Sequence, residues 1–191
     1  MMNIIFFSVD NVLNNADTPL MGNNPLLAES DVKGIRGFDG KFVRALVSSA
    51  VALDCKLVLF GDWKKYFVET DDLSKFLSND LLRKLHGANS SVQFFGITPY
   101  SVIGEGIEVM NFVHTIGDYV EDFVCIGSDI STFKCTPNIM RQYIETDNQL
   151  GLSKITVDAN LSKERLAIRF ANDIKKRLAD IKVVYRDKYE D

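Results

Sequence analysis

The chain has 191 residues, of which 46% are apolar and 25% charged, an ordinary globular composition sufficient for one domain. Thirteen Phe, six Tyr and one Trp supply core material that disordered chains lack. A net charge of −4, from 22 Lys and Arg against 26 Asp and Glu, excludes a strongly basic nucleic-acid footprint over the whole chain.

No apolar run approaches the ~20 residues needed to span a bilayer, so no membrane partner is expected. The opening Met1–Phe7 lacks a basic flank and is followed by Asp10. It reads as a strand and not as a signal peptide. Cys55, Cys125 and Cys135 are odd in number and far apart, with no CxxC spacing and only two His in the chain. That usage points to free thiols in a reducing cytoplasm, not to structural zinc.

In chain order, the first predicted strand is Asn3–Val9. Residues 11–37 follow, with two Pro, three Gly and no periodicity. Such a stretch exceeds the usual connection length and is expected to be an irregular, functional insertion or lid. Asp39 is placed to cap a helix reaching about Leu53, with Phe42, Val43, Leu46, Val47 and Ala50 on one face. A second strand, Lys56–Phe60, closes at Gly61-Asp62, where Asp62 is positioned to cap a short helix at Trp63. Thr70-Asp71-Asp72 opens a helix bearing Leu73, Phe76, Leu77, Leu81, Leu82 and Leu85, with Ser78-Asn79 a candidate break.

The third strand spans Ser91–Ile97 and closes at Thr98-Pro99. A helix over Glu105–Thr115 carries Val109, Phe112 and Val113. The fourth strand, Phe123–Ile126, closes at Gly127-Ser128-Asp129, and a fifth covers Tyr143–Thr146. The last predicted helix starts at Ser162 and has Leu166, Phe170, Ile174, Leu178 and Ile181 at helical spacing. Its other face holds Lys163, Arg165, Arg169, Lys175, Lys176 and Arg177. From Lys163 onward nine basic residues meet six acidic ones, while the rest of the chain has 13 basic against 20 acidic. The C-terminal segment therefore carries a charge opposite to that of the body, read either as a solvated helix face or as a partner surface.

Near-continuous apolar strands alternating with helices predict an α/β fold. The expected form is a three-layer αβα, Rossmann-like domain around a mainly parallel sheet. The core would cover residues 1–160, with 161–191 a C-terminal amphipathic helix and tail packed on it. In such sheets ligands bind beyond the carboxyl ends of the strands, so the residues just after each strand are the candidates for chemistry.

Those residues carry a resemblance. Asp10, Val12, Leu13 and Asn14 follow the first strand, and Trp63-Lys64 follows Leu57-Val58-Leu59. Gly96-Ile97-Thr98-Pro99 precedes Gly106-x-Glu108-Val109, Phe112-Val113 follows, and Thr146-Asp147 with Gly151-Leu152 comes last. In order and spacing over residues 3–155 they resemble the haloacid-dehalogenase (HAD) superfamily, most closely the small phosphatase domains of nucleic-acid repair proteins. The resemblance implies a HAD-like fold and a phosphoryl-transfer site, and it allows each position to be compared. The nucleophilic Asp falls at Ser8. The acid/base Asp is retained as Asp10. The phosphate-binding hydroxyl falls at Phe60 or Gly61. The phosphate-neutralising cation falls at Glu105, which reverses its sign. The Mg²⁺-binding carboxylates fall at Gly127 and Ser128, with Asp129 one step displaced.

Phosphoryl transfer relies on metal and cation stabilisation of a multiply charged group, and here several such elements are changed together. Two readings follow. In the first the chain is a pseudoenzyme with no catalytic residue and no bound metal, retained for binding a protein partner. The resemblance extends to the Alc-type inactive HAD domain of a phage transcription-termination factor, which implies RNA polymerase as partner and a role in phage takeover of host transcription. In the second reading Asp10 and Asp129 hold Mg²⁺, and Ser8 or water attacks a nucleic-acid end or a small phosphomonoester. Asp10 itself is either half of a weak cation site or a turn-capping residue. Direct nucleic-acid binding through Arg169, Lys175, Lys176 and Arg177 is a subsidiary possibility.

Overall fold

The computed structural model describes residues 1–21, 34–146 and 172. Its centre is a five-stranded sheet of β1 (Met2–Phe7), β2 (Cys55–Leu59), β3 (Phe94–Ile97), β4 (Val120–Gly127) and β5 (Tyr143–Glu145). The strands run in the order β3-β2-β1-β4-β5, and every pairing is parallel. Ile5 of β1 sits opposite Leu57 and Val124, and Phe7 opposite Leu59 and Ile126.

β1 is central because both of its faces are apolar. Ile4, Ile5, Phe6 and Phe7 are all 0% exposed, and successive side chains point to opposite sides of the sheet. Ile5 and Phe7 join the core formed with helices α1 (Gly40–Ala52) and α2 (Asp72–Ala88), through Phe42, Leu46, Leu77, Leu81 and Leu85. Ile4 and Phe6 join a second core with Val109 of α3 (Glu105–Ile116) and with Phe133 and Ile139 of two 3₁₀ turns. Phe6 anchors that side through edge-on contacts with Phe112 and Phe123 at 5.5 and 5.6 Å. Helices on both faces of a parallel sheet make the three-layer, Rossmann-like α/β fold expected from the alternation of patterns.

Local chemistry sets the element ends. Asp39 caps α1 by accepting the Lys41 N–H at 2.7 Å, and Asp71 caps α2 through the Ser74 N–H at 2.9 Å. Several element ends differ from expectation, β1 stopping at Phe7 and β4 starting already at Val120, and three differences have a visible local cause. α2 runs unbroken through Ser78-Asn79, because the Ser78 hydroxyl donates to the Ser74 carbonyl one turn back at 2.9 Å and stays within the helix. β3 begins at Phe94 and not at Ser91, because Asn89 gathers the Ser91 and Val92 N–H groups into a turn. Asp62 does not cap the 3₁₀ helix Asp62–Phe67. Gly61 holds the capping position at φ 80° without a side-chain bond, and Asp62 is the first helical residue.

The predicted insertion at 11–37 is only partly described. Val12 and Leu13 are fully buried in the core. Further on, its two arms return antiparallel, with Leu20 bridged to Arg36, the Met21 N–H on the Ile35 carbonyl and the Gly37 N–H on the Pro19 carbonyl. Residues 22–33, the predicted helix from Ser162 with its basic face, and Asp147, Gly151 and Leu152 lie outside the described residues. No helix among the described residues is long and apolar enough to cross a membrane.

The sheet order fixes where a site can form. From β1 the chain proceeds outward through β2 and β3, then crosses back to place β4 and β5 on the other side of β1. The loops after β1 and β4 therefore diverge, opening a crevice at their carboxyl ends.

Candidate functional site

Ser8 leaves β1 with its N–H on the Ile126 carbonyl of β4 at 3.0 Å, which fixes it at the floor of this crevice. The chain then turns sharply, and the Val12 and Leu13 N–H groups both reach back to the Val9 carbonyl. Asn11 adopts φ 59°, a left-handed conformation that Asn tolerates better than most residues. Its N–H donates to Asn14 Oδ1 at 2.8 Å. Asp10 Oδ1 accepts from two side chains, Asn14 Nδ2 at 3.3 Å and the Trp63 indole at 3.2 Å. The turn is tied to the end of β4 by Thr146, whose hydroxyl donates to the Asn11 carbonyl at 2.6 Å and whose N–H donates to the Gly127 carbonyl at 2.8 Å.

Glu105 enters the same crevice from the start of α3. Gly104 before it has φ 144°, and a Cβ there would fall 2.8 Å from the Thr132 carbonyl oxygen, so only glycine lets α3 begin this close to its neighbour. Glu105 Oε2 accepts the Thr132 hydroxyl at 2.7 Å. Its Oε1 lies 3.1 Å from the point where a Gly61 side chain would start, and Ser8 Cβ lies 3.5 Å from that point. Ser8, Gly61 and Glu105 thus share one small volume. Burial pushes the Glu105 carboxyl above the usual glutamate range. The Thr132 hydroxyl pulls it back, and the charges of Glu108 and Asp62 add to the rise.

At the end of β4 the space beside Gly127 is filled. A Cβ there would collide with the Tyr143 hydroxyl and stand 3.0 Å from Phe60. Tyr143 is held in place by Phe133, with ring centroids 4.7 Å apart, and its hydroxyl accepts the Asp129 N–H at 3.2 Å. Ser128 Oγ accepts from Asn11 Nδ2 at 3.4 Å. The exposed Asp129 carboxylate accepts the Ser131 N–H at 2.8 Å, capping the turn Ile130–Phe133. The Ser131 hydroxyl first, and its N–H second, hold the Asp129 carboxyl below the usual range.

The structure therefore brings Ser8, Gly61 and Glu105 together, with Gly127 and Ser128 on the adjoining strand end. Asp10 faces Trp63 and Asn14, while Asp129 faces its own turn. A Mg²⁺ centre asks for near-octahedral oxygen ligands with one or two carboxylates free to bind. Asp10 commits one oxygen to Asn14 and Trp63, Asp129 is turned to its own Ser131, and no group of three or more His, Cys, Asp or Glu suited to a metal occurs among the described residues. One half-free carboxylate is too little for that ion, so the described residues do not fit it. Cys125 is buried within β4 and burial raises its thiol far above the usual range. The Cys55 thiol is likewise pushed up to about 12. His86 and His114 occupy the last turns of α2 and α3, away from this crevice's named residues.

Two features of the site have little signal in the sequence. Lys64 is buried and ion-paired with Glu108, and it also donates to the Pro99 carbonyl at 3.2 Å. Glu108 accepts the Ser101 N–H at 3.1 Å, so the pair fastens the β3–α3 loop over the 3₁₀ helix. The second feature is an open pocket of about 360 Å³ beside Asp10, lined by Trp63, Tyr66, Asp62 and Lys65 and by Arg36 from the insertion. The Asn residues after β1 hint at its tight turn, but Arg36 and Lys65 reach it only through the fold. The basic quartet Arg169, Lys175, Lys176 and Arg177 lies outside the described residues.

No family model, curated protein or solved structure matches this chain.

Proposed function

We propose that the chain is a catalytically degenerate HAD-type pseudophosphatase that works by binding a macromolecular partner. The observation that carries this reading is Glu105. It puts a half-buried carboxylate, bonded to Thr132 and facing Ser8 and Gly61, where phosphoryl transfer would need a cation. Removing a single transition-state stabiliser costs about 3–4 kcal/mol, and here the sign is reversed. The filled space at Gly127 supports the same reading, because a metal-binding side chain has no room beside Tyr143 and Phe60.

The partner is proposed to be a cytoplasmic protein. The resemblance to the Alc-type domain makes RNA polymerase, during phage takeover of transcription, the specific candidate. Arg169, Lys175, Lys176 and Arg177 are the proposed contact residues. This partner rests on likeness of fold and motif and not on the site itself.

The test uses the full chain with Mg²⁺ or Mn²⁺, a chromogenic phosphomonoester and end-phosphorylated oligonucleotides. The expected result is no turnover above that of an Asp10→Asn variant. Turnover that disappears in the variant would overturn the reading in favour of a metal-dependent phosphohydrolase. The partner is tested separately by gel filtration with purified bacterial RNA polymerase, where a co-migrating complex is expected and separate elution refutes that choice.

A further inference from the structure

The pocket beside Asp10 is lined by charges of both signs that do not satisfy one another. Asp10 and Asp62 supply two carboxylates, and Arg36 and Lys65 two cations. Among the described residues none of the four forms an ion pair. Asp10 uses Oδ1 for Trp63 and Asn14, and Oδ2 has no donor among the described residues. The Asp62 carboxylate has no hydrogen bond or ion pair with the described residues, although its charge is felt by Glu105. Arg36 spends one guanidinium nitrogen on the Thr18 carbonyl at 2.7 Å. The Lys65 ammonium rests over the Tyr66 ring, 4.9 Å from its centroid. Trp63 and Tyr66 form a rigid wall, both buried and packed edge-on with centroids 5.2 Å apart.

A ligand with one kind of charge fits such a lining poorly. A lone anion would meet Arg36 and Lys65 but be repelled by Asp10 and Asp62, and a lone cation would meet the reverse. A ligand bearing both charges gains on each side, which is how a mixed lining discriminates. The volume lies at the small end of the range for ligand sites and suits a molecule of amino-acid size. From this we propose that the pocket binds a small zwitterion of the α-amino acid class. Its ammonium is taken by Asp10 and Asp62 and its carboxylate by Arg36 and Lys65, against the Trp63–Tyr66 wall. This site is separate from the volume shared by Ser8, Gly61 and Glu105, and it stands whether or not that volume has lost phosphoryl chemistry.

Trp63 is the single tryptophan of the chain, so its emission reports on this wall alone. The full chain is titrated with each of the standard L-amino acids, with n-butylamine and acetate as single-charge controls. At least one amino acid is expected to change Trp63 emission saturably, with a Kd of about 1 mM or tighter, while the two controls bind at least tenfold more weakly. Asp62→Asn and Lys65→Gln, both at exposed positions, are each expected to weaken that ligand at least tenfold without lowering the thermal midpoint. No saturable change with any amino acid, controls that bind as well as the zwitterion, or variants that keep the wild-type Kd would each overturn the proposal.

Discussion

Lys64→Met removes the ammonium from a network that hardly touches water, since the Lys64 and Glu108 side chains are 2% and 6% exposed. Deleting one partner of a buried ion pair costs about 3–5 kcal/mol, because the remaining charge is left desolvated. The loss also takes the bond to the Pro99 carbonyl and the contact of the ammonium with the Tyr100 ring, 4.2 Å from its centroid. Two features moderate the cost. Glu108 keeps the Ser101 N–H at 3.1 Å and the Thr98 hydroxyl at 3.4 Å, and Met preserves most of the packing of the lysine stem. The expected destabilisation is about 3 kcal/mol, less than the roughly 5–15 kcal/mol that holds a domain together, so the variant still folds. A Lys64→Met, Glu108→Leu double variant removes both charges and is expected to recover most of the loss. Urea unfolding followed by Trp63 fluorescence measures each variant, with the slope unchanged and only the midpoint moving. A loss below about 1 kcal/mol for Lys64→Met, or a double variant worse than either single one, would refute the reasoning.

Gly127→Ala drives a methyl group into the Tyr143 hydroxyl and toward Phe60 and is expected to cost about 1–3 kcal/mol by overpacking. Adding Tyr143→Phe should return part of that cost, which the same unfolding assay reads. Thr146→Val deletes the hydroxyl that joins the Asn11 carbonyl to the end of β4 and is expected to cost about 1–3 kcal/mol, with a fall in amide-exchange protection concentrated in residues 10–14. For Glu105 the pH dependence carries the sign. Its folded carboxyl titrates above the ordinary glutamate value, chiefly through burial, so the native state binds the proton more readily than the unfolded chain. Its contribution is most favourable below the unfolded value and is lost as pH rises through the raised folded one. Glu105→Gln is therefore expected to gain stability relative to wild type across that window. A stability difference independent of pH would contradict the burial of this group.

Much of the fold is legible along the chain because its determinants are local. Ile4-Ile5-Phe6-Phe7 announces a strand buried on both faces, and Asp39 and Asp71 mark the starts of α1 and α2 as expected. Two of the ends that differ are ones where a side chain has two uses for its hydrogen bonds. Ser78 returned its hydroxyl to its own helix, and Asn89 turned the chain before β3 could start. The strand ends were legible as a location, because parallel sheets place their loops there. What fills them was not. Nothing near Gly127 in the sequence says that Tyr143, sixteen residues on, occupies its side-chain space. Nothing near Lys64 says that Glu108 neutralises it. The first relation exists only once β4 and β5 have paired, and the second only once α3 has packed beside the 3₁₀ helix. The pocket charges Arg36 and Lys65 likewise meet only when the insertion folds back beside the 3₁₀ helix.

The most direct measurement is crystallographic, on crystals of the full chain soaked with magnesium chloride and a phosphate mimic such as tungstate. With Glu105 in the crevice, neither ion is expected to be ordered beside Ser8 and Asp10, and the Glu105 carboxylate is expected to stay on the Thr132 hydroxyl. Magnesium and tungstate both ordered there, with Glu105 displaced, would contradict the claim that this crevice has given up phosphate.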